Sequence, residues 1–213
     1  MKSNLIFIGA PGSGKGTQSE VLSKKFDYIH ISTGDLLRTE ISKGTDLGRN
    51  VKSVMDKGNL VSDDLVIKLL KANLDFKKNK YIFDGVPRNI DQAKTLVDDV
   101  LVGQNFRVVY FKINEEKLIE RLANRRSCST CGKIYNLLSN KPKVEGVCDS
   151  CGSRDLRLRD DDKSDVVKNR LKVFNSTVNP MIDYFSSIGG WIEVGAELDV
   201  DLITNKIVEG LLT

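Results

Sequence analysis

The sequence predicts a doubly wound α/β fold, a parallel sheet of five strands with helices on both faces. Three observations predict it. Short apolar runs alternate with amphipathic stretches along most of the chain. The runs are nearly continuous in apolar residues, as expected of strands buried on both faces. A glycine-rich loop joins the first run to the first amphipathic stretch, the order strand, loop, helix.

Residues 4–8 form the first apolar run and end at Gly9, which predicts a buried strand. Residues 16–26 read as a helix and 28–31 as a second strand. Ser32-Thr33-Gly34-Asp35 has the form of a helix N-terminus, with Ser32 three residues before Asp35. Leu47, Val51, Val54 and Met55 keep helical spacing, as do Leu65, Val66, Leu69 and Leu70 after Ser62. Residues 81–83, closing on Asp84, are a third strand and 106–113 a fourth. Leu118, Ile119 and Leu122 open the next helix. Val166, Val167, Leu171, Phe174, Val178, Met181, Ile182 and Phe185 trace a long amphipathic helix with an expected kink at Pro180. Residues 191–194 give the fifth strand and 199–212 a last helix. No internal repeat or low-complexity tract interrupts this order.

The stretch from about 124 to 161 breaks the pattern. It is poor in apolar runs, rich in Lys, Ser, Gly and Asp, and holds all four cysteines. The expected division is a core of 1–31, 64–123 and 162–213, an insertion at 32–63 and a second insertion at 124–161.

Composition sets the class. The 213 residues carry 33 Lys and Arg against 29 Asp and Glu, a formal charge of +4 with both signs mixed along the chain. A nucleic-acid binder concentrates its basic residues on one face, so no nucleic-acid partner is expected. The run at 5–8 is far short of a signal or membrane-spanning segment. No membrane partner is expected, and the expected location is cytoplasmic. In that setting paired cysteines point to metal rather than disulfide.

Gly9-Ala-Pro-Gly-Ser-Gly-Lys15-Gly-Thr17 is the strongest signal. Glycines let the backbone turn tightly and aim successive N–H groups at one anion, and the helix N-terminus adds positive potential. Lys15 can reach a transferring phosphate, and Thr17 offers a hydroxyl to Mg²⁺. The strict P-loop pattern places Ser or Thr directly after the lysine; here Gly16 intervenes. The plainer alternative is an ordinary glycine turn.

Cys128-x2-Cys131-x16-Cys148-x2-Cys151 has the spacing of a four-cysteine zinc ribbon. Four thiolates fill a tetrahedral shell and leave no open position, so the expected Zn²⁺ is structural. Iron in the same shell, or four unligated thiols, are the alternatives.

Further motifs stand in order: Ile31-Ser-Thr-Gly-Asp-Leu-Leu-Arg38, Gly58-Asn-Leu-Val61, Asp84-Gly-Val-Pro-Arg88 with Gln92, Arg121 and Arg125, Arg159-Asp-Asp-Asp162, and Arg170. Together with the Gly-Lys-Gly-Thr ending of the loop, they resemble the motifs of adenylate kinases of the long, zinc-binding lid type over nearly the whole chain. The resemblance implies reversible phosphoryl transfer from ATP, with Mg²⁺, to AMP, giving two ADP in adenine nucleotide homeostasis, by a monomer.

Carried onto matching positions, the resemblance implies an AMP site of Thr33, Arg38, Asn59, Leu60, Val61, Gly85, Val86, Pro87, Arg88 and Gln92, with Arg159 and Arg170 swinging in. Gln92 would meet the adenine edge. ATP would be held by Gly12, Ser13, Gly14, Lys15, Gly16, Thr17, Arg121 and Arg125, with Ile134, Tyr135, Gly195, Ala196 and Glu197 around its base and ribose. Lys15, Arg88, Arg125, Arg159 and Arg170 would be catalytic, and Asp84 would hold Mg²⁺ through water beside Thr17. The segment 32–63 would close over AMP and 124–161 would be the lid. Three residues depart from the family pattern: Val86 replaces a usual Phe, Asn59 a frequent Lys, and Asn136 a frequent His.

An AMP phosphate oxygen is already anionic at neutral pH, so the transfer needs no general base. The single histidine, His30, falls on a predicted buried strand and reads as structural. Two rivals stand beside this reading. A UMP or CMP kinase would commonly have a small residue without a hydroxyl in place of Thr33, and a short lid. A non-enzymatic nucleotide-binding zinc-ribbon module would leave the arginine set unexplained.

Overall fold

The computed structural model describes residues 3–77 and 80–212. Its centre is a five-stranded sheet built from β1 (Asn4–Gly9), β2 (Ile29–Ser32), β3 (Tyr81–Asp84), β4 (Phe106–Lys112) and a last strand (Trp191–Gly195), in the spatial order β2, β3, β1, β4, last strand. Every neighbouring pair is parallel; Leu5 stands beside Ile82 and Ile6 beside Val108. Alternate residues feed two cores. Ile6, Ile8, Phe83 and Val108 pack with Val178, Met181 and Phe185. Leu5, Phe7, Ile82, Val109, Phe111 and Val194 pack with Leu22, Ile203 and Ile207. Burial on both faces is why these strands read as unbroken apolar runs.

Helices fill the connections. α1 (Lys15–Phe26) follows the glycine loop. α2 (Thr33–Ser42), α3 (Asp46–Met55) and α4 (Asp63–Lys71) join β2 to β3. The Ser32 side chain accepts from the Asp35 backbone N–H, as the sequence suggests; the Asp35 carboxylate turns instead to Arg38. α5 (Ile90–Thr95) continues into a π-turn over Leu96–Val100, a feature the apolar spacing did not indicate. α6 (Glu115–Ala123) leads to a separate three-stranded antiparallel sheet of β5 (Arg125–Cys128), β6 (Ile134–Asn136) and β7 (Leu156–Arg157), with β5 in the middle. α7 (Ser164–Ile188) returns along the core as one helix through Pro180. It leads into the last strand, β8, and α8 (Val200–Gly210). Among the described residues no helix is long and apolar enough to cross a membrane.

The carboxyl ends of β1, β2, β3 and β8 share one edge. β1 continues there into the glycine loop, β2 ends at Ser32, β3 at Asp84 and β8 at Gly195. β1 has β3 on one side and β4 on the other, so the strand order reverses across it, which opens a crevice at that edge. Buried Gln18 ties α1 to α8: its amide donates to the Val200 carbonyl at 2.8 Å and accepts from the Thr204 hydroxyl at 2.8 Å.

Gly48 sets how closely α2 and α3 approach. A Cβ there would lie 2.6 Å from the Glu40 carbonyl oxygen and 3.1 Å from the Ile41 Cα, both backbone atoms. Gly48→Ala gains about 1 kcal/mol of helix propensity, but overpacking against backbone costs about 1–3 kcal/mol. The net expectation is destabilisation, measured as a lower urea midpoint at unchanged slope.

Candidate active site

At the carboxyl edge lies a cleft of about 810 Å³. The glycine loop forms its floor. Gly12 and Gly14 take positive φ (86° and 94°), which the loop's turn requires. Lys15 lies across it, its ammonium donating to the Gly9 carbonyl at 2.8 Å and the Ala10 carbonyl at 3.0 Å. Burial depresses the Lys15 pKa to about 8; Asp84 opposes the shift, while the charges of Arg88, Arg170 and Arg125 deepen it.

Asp84 stands at the end of β3, its Oδ2 3.3 Å from His30 Nε2. Burial pushes its carboxyl up, but the His30 hydrogen bond and the Lys15 charge outweigh that and hold it below the usual range. His30 is thus not a core residue. Its side chain is 26% exposed and lines the cleft, beside Asp84.

Arginines come in from the other elements. Arg38 (α2), Arg88 (after β3), Arg121 (α6), Arg125 (β5), Arg159 (after β7) and Arg170 (α7) all line the cleft. Burial brings Arg88 down to about 10, with Arg170 contributing and Asp84 opposing. Burial also brings Arg159 to about 10, with Arg38 and Arg125 contributing. Arginine is normally protonated well beyond this range, so the two values record crowded, poorly hydrated positive charge. Arg88 Nε donates to the Gly85 carbonyl at 2.8 Å, and Arg159 Nε to the Ser127 hydroxyl at 2.7 Å.

Most residues singled out in the sequence share this cleft. Gly12, Ser13, Gly14, Lys15, Gly16, Thr17, Arg121, Arg125, Ile134, Tyr135, Ala196 and Glu197 line it, as do Arg38, Asn59, Leu60, Gly85, Pro87, Arg88, Arg159 and Arg170. The four cysteines and five of the nucleotide-site residues lie outside its lining. Gly195 is exposed at the end of β8 and Val61 is half-buried. Thr33 and Val86 are covered, Thr33 donating its hydroxyl to the Gly85 carbonyl at 2.8 Å. Gln92 is 1% exposed behind Arg88, its amide oxygen accepting from the Arg88 backbone N–H at 2.8 Å. Tyr135 touches the cleft, but its phenol is used beside the cysteines, donating to Cys148 Sγ and accepting from the Asp149 N–H at 2.7 Å. The departing Asn59 accepts from Asn169 at 3.0 Å, and Asn136 donates to the Arg121 carbonyl at 3.1 Å.

The structure adds residues that sequence reasoning passed over. In the Asp160-Asp161-Asp162 run the side chains are 59%, 13% and 0% exposed. Asp162 receives both Arg125 Nε (2.6 Å) and Arg125 Nη2, and Arg170 Nη1 at 3.0 Å. Asp161 pairs with Arg170 at 3.0 Å. Lys133, between β5 and β6, meets Glu20 of α1 at 2.5 Å and so connects the small sheet to the core. Asp63, at the start of α4, receives Gln92 Nε2 at 2.6 Å.

The four cysteines lie in two matching turns. The Gly132 N–H reaches the Cys128 carbonyl and the Gly152 N–H the Cys148 carbonyl, with positive φ at both glycines (75° and 74°). The four Sγ atoms all lie within 4.8 Å of one another. Tetrahedral zinc with sulfurs at about 2.3 Å spaces them about 3.8 Å apart, so the set fits such an ion. Among the described residues the apolar cluster around it consists of Cys128, Tyr135, Cys148 and the flanking Leu156.

Comparison with known proteins agrees with this geometry. Residues 7–190 match the family "Adenylate kinase". The chain is 41% identical to the adenylate kinase of Petrotoga mobilis over 205 residues, covering 95% of this chain and 94% of that one. It is 43% identical to that of Borrelia garinii subsp. bavariensis over 210 residues, 98% of each chain. It is 47% identical to that of Treponema denticola over 185 residues, 86% and 87% of the two chains.

Asp162 is the buried counter-charge shared by Arg125 and Arg170. Removing one partner of a buried ion pair costs about 3–5 kcal/mol, because the remaining charge stays buried without compensation. Asp162→Asn, nearly isosteric, is expected to lose stability on that scale in urea unfolding and to lower kcat, since both guanidiniums lose their fixed positions.

Proposed function

The chain belongs to the adenylate kinase family, the nucleoside monophosphate kinases that act on ATP and AMP, and we propose that its phosphoryl transfer runs in this cleft between a donor at the glycine loop and an acceptor at Arg38 and Arg88. The observation that carries the reading is the convergence of Lys15 with Arg38, Arg88, Arg125, Arg159 and Arg170 on one cavity. A polyanion relieves their mutual repulsion, and two polyanions that must meet need this concentration of charge.

On this reading the donor's phosphates lie on the loop N–H groups from Gly12 to Thr17 and at the start of α1. Lys15 exchanges the loop carbonyls for a phosphate oxygen. Arg121 and Arg125 bind the donor, and Ile134, Ala196 and Glu197 wall its nucleoside, with Gly195 and Tyr135 behind them. Arg38 and Arg88 grip the acceptor phosphate, and Asn59, Leu60, Val61, Thr33, Gly85, Val86, Pro87 and Gln92 shape its nucleoside site. Arginine's planar fork suits paired phosphate oxygens. Arg159 and Arg170 complete the clamp and align the reacting oxygens.

Hard oxygen donors suit magnesium. The Thr17 hydroxyl and the ionised Asp84 carboxylate, brought together by the loop and the end of β3, would hold the Mg²⁺ that neutralises donor phosphate charge, Asp84 through water. No side chain has to remove a proton, because the acceptor oxygen is already ionised.

We read 32–63 as the segment that covers the acceptor and 124–161 as a lid that excludes water, the competing acceptor. Zinc at Cys128, Cys131, Cys148 and Cys151 would hold that lid, whose own core is too small. A cytoplasmic monomer without nucleic-acid or membrane partners completes the reading. Thr33, Gln92 and the long cysteine-bearing lid favour AMP over UMP or CMP.

The direct test is ADP formation from Mg-ATP with AMP, GMP, CMP and UMP, with an EDTA control, on the unsubstituted chain and Arg88→Lys. Magnesium-dependent turnover with AMP and a drop in kcat of about 10²–10³ in the folded variant are expected. Near-normal turnover in Arg88→Lys would remove Arg88 from the clamp. Separately, stripping the cysteine-bound metal is expected to lower the melting temperature far more than it lowers turnover at moderate temperature. Loss of activity with the lid still folded would make the metal catalytic.

A further inference from the structure

Asp63 lies in no sequence motif that carries the transfer chemistry, yet it sits at the centre of a closed hydrogen-bond ring. Gln92 Nε2 donates to Asp63 Oδ1 at 2.6 Å, and Asn89 Nδ2 lies 3.1 Å from each Asp63 oxygen. The Asn89 side-chain oxygen in turn accepts from the Gln92 backbone N–H at 2.8 Å, and Gln92 Oε1 accepts from the Arg88 backbone N–H at 2.8 Å. A carboxylate only accepts and a backbone N–H only donates. These two neighbours therefore fix which end of the Gln92 amide is oxygen and which is nitrogen.

We propose that Asp63 is a specificity-determining positioning residue for the acceptor base: with the Arg88 backbone N–H, it locks the Gln92 amide in the one orientation that pairs with a 6-aminopurine and mispairs with a 6-oxopurine. The inference rests on the reading above that Gln92 meets the acceptor base. A primary amide has two N–H donors and two oxygen lone pairs. Asp63 takes one donor and Arg88 one lone pair, so one donor and one lone pair remain for a ligand. Adenine offers the complement, an amino N–H at position 6 and an acceptor nitrogen at position 1. Hypoxanthine and guanine offer the reverse, an oxygen at position 6 and an N–H at position 1.

To serve a 6-oxopurine the amide must turn over. That sets Nε2–H against the Arg88 N–H and Oε1 against the Asp63 carboxylate, two like-with-like contacts. Gln92 is 1% exposed, so water does not rescue the mispaired groups. The first turn of α4 also contains Asp64, so Asp63 is not the only acid at that helix N-terminus.

The experiment uses the full chain with its metal and compares AMP with inosine monophosphate, which differs only at the purine edge. In Asp63→Asn the new amide can offer an N–H to a turned-over Gln92, so one of the two penalties disappears. The ratio of kcat/KM for AMP over inosine monophosphate should fall about tenfold, the worth of one buried hydrogen-bond mismatch, while KM for ATP is unchanged. Asn89→Ala, which loosens the carboxylate, should shift the ratio the same way by less. An unchanged ratio in either folded variant, or an equal loss on both substrates, overturns the lock. Gln92→Leu separates the two levels: if KM for AMP does not move there, it is the placement of the acceptor base at Gln92 that fails.

Discussion

Repulsion among the cations of the cleft is the constraint on which the rest of the structure depends. Lys15, Arg88, Arg159 and Arg170 are dry enough, and close enough to other cations of the cleft, for their proton affinity to fall. Left to themselves such groups would turn out to solvent. They stay because each rises from an element fixed elsewhere. Lys15 begins a helix packed on the sheet, Arg88 follows the central β3, and Arg170 sits within the long α7. A parallel sheet buried on both faces supplies that rigidity, and its carboxyl edge gathers the chain segments that bear the charge.

The acids of the site are placed to balance this charge without cancelling it. Asp162 is fully buried and takes Arg125 and Arg170 together, and Asp161 takes Arg170 again. Asp84 faces Lys15 and is held by His30. Arg88 and Arg159 make their side-chain bonds to a carbonyl and a hydroxyl instead. The cleft thus has a supported rear, where charge is neutralised and geometry set, and a front that a polyanion completes. The same division explains the single histidine, which orients an acid and is not needed to take a proton.

Much of this was legible in the sequence, because the relevant signals are local. The run at 4–8, the glycine loop and the Cys-x-x-Cys pairs each carry their meaning within a few residues, and the five strands appear where the apolar runs stand. What was not legible depends on burial. Nothing in Asp160-Asp161-Asp162 distinguishes the third residue as the buried one. Asp63 looks like another first-turn acid until α5 is seen beside it. His30 reads as a structural residue of a buried strand, because a short strand does not reveal which of its side chains reaches the crevice. Tyr135 lines the cleft as the resemblance implies, but its phenol's partners, a thiol and a backbone N–H, could not be read from the sequence. The π-turn at Leu96–Val100 leaves no mark on a pattern of apolar spacing.

The cysteine segment belongs to the same electrostatic problem. Arg125 begins β5 and Arg159 follows β7, and the antiparallel pairing of these strands sets the two cleft arginines at the same end of one small sheet. Their charges oppose each other, and Arg125 contributes to the depressed Arg159 pKa. Ser127 bridges them structurally: it is on β5, pairs with Arg157 and receives Arg159 Nε. A three-stranded sheet with a handful of apolar residues beneath it has little cohesion to set against that repulsion. A filled tetrahedral shell would tie the end of β5 and the turn after it to the turn that precedes β7, outside the cleft lining, and would fix both guanidiniums before any phosphate arrives. On that account a metal's contribution to turnover would be geometric: it would keep like charges together without touching substrate.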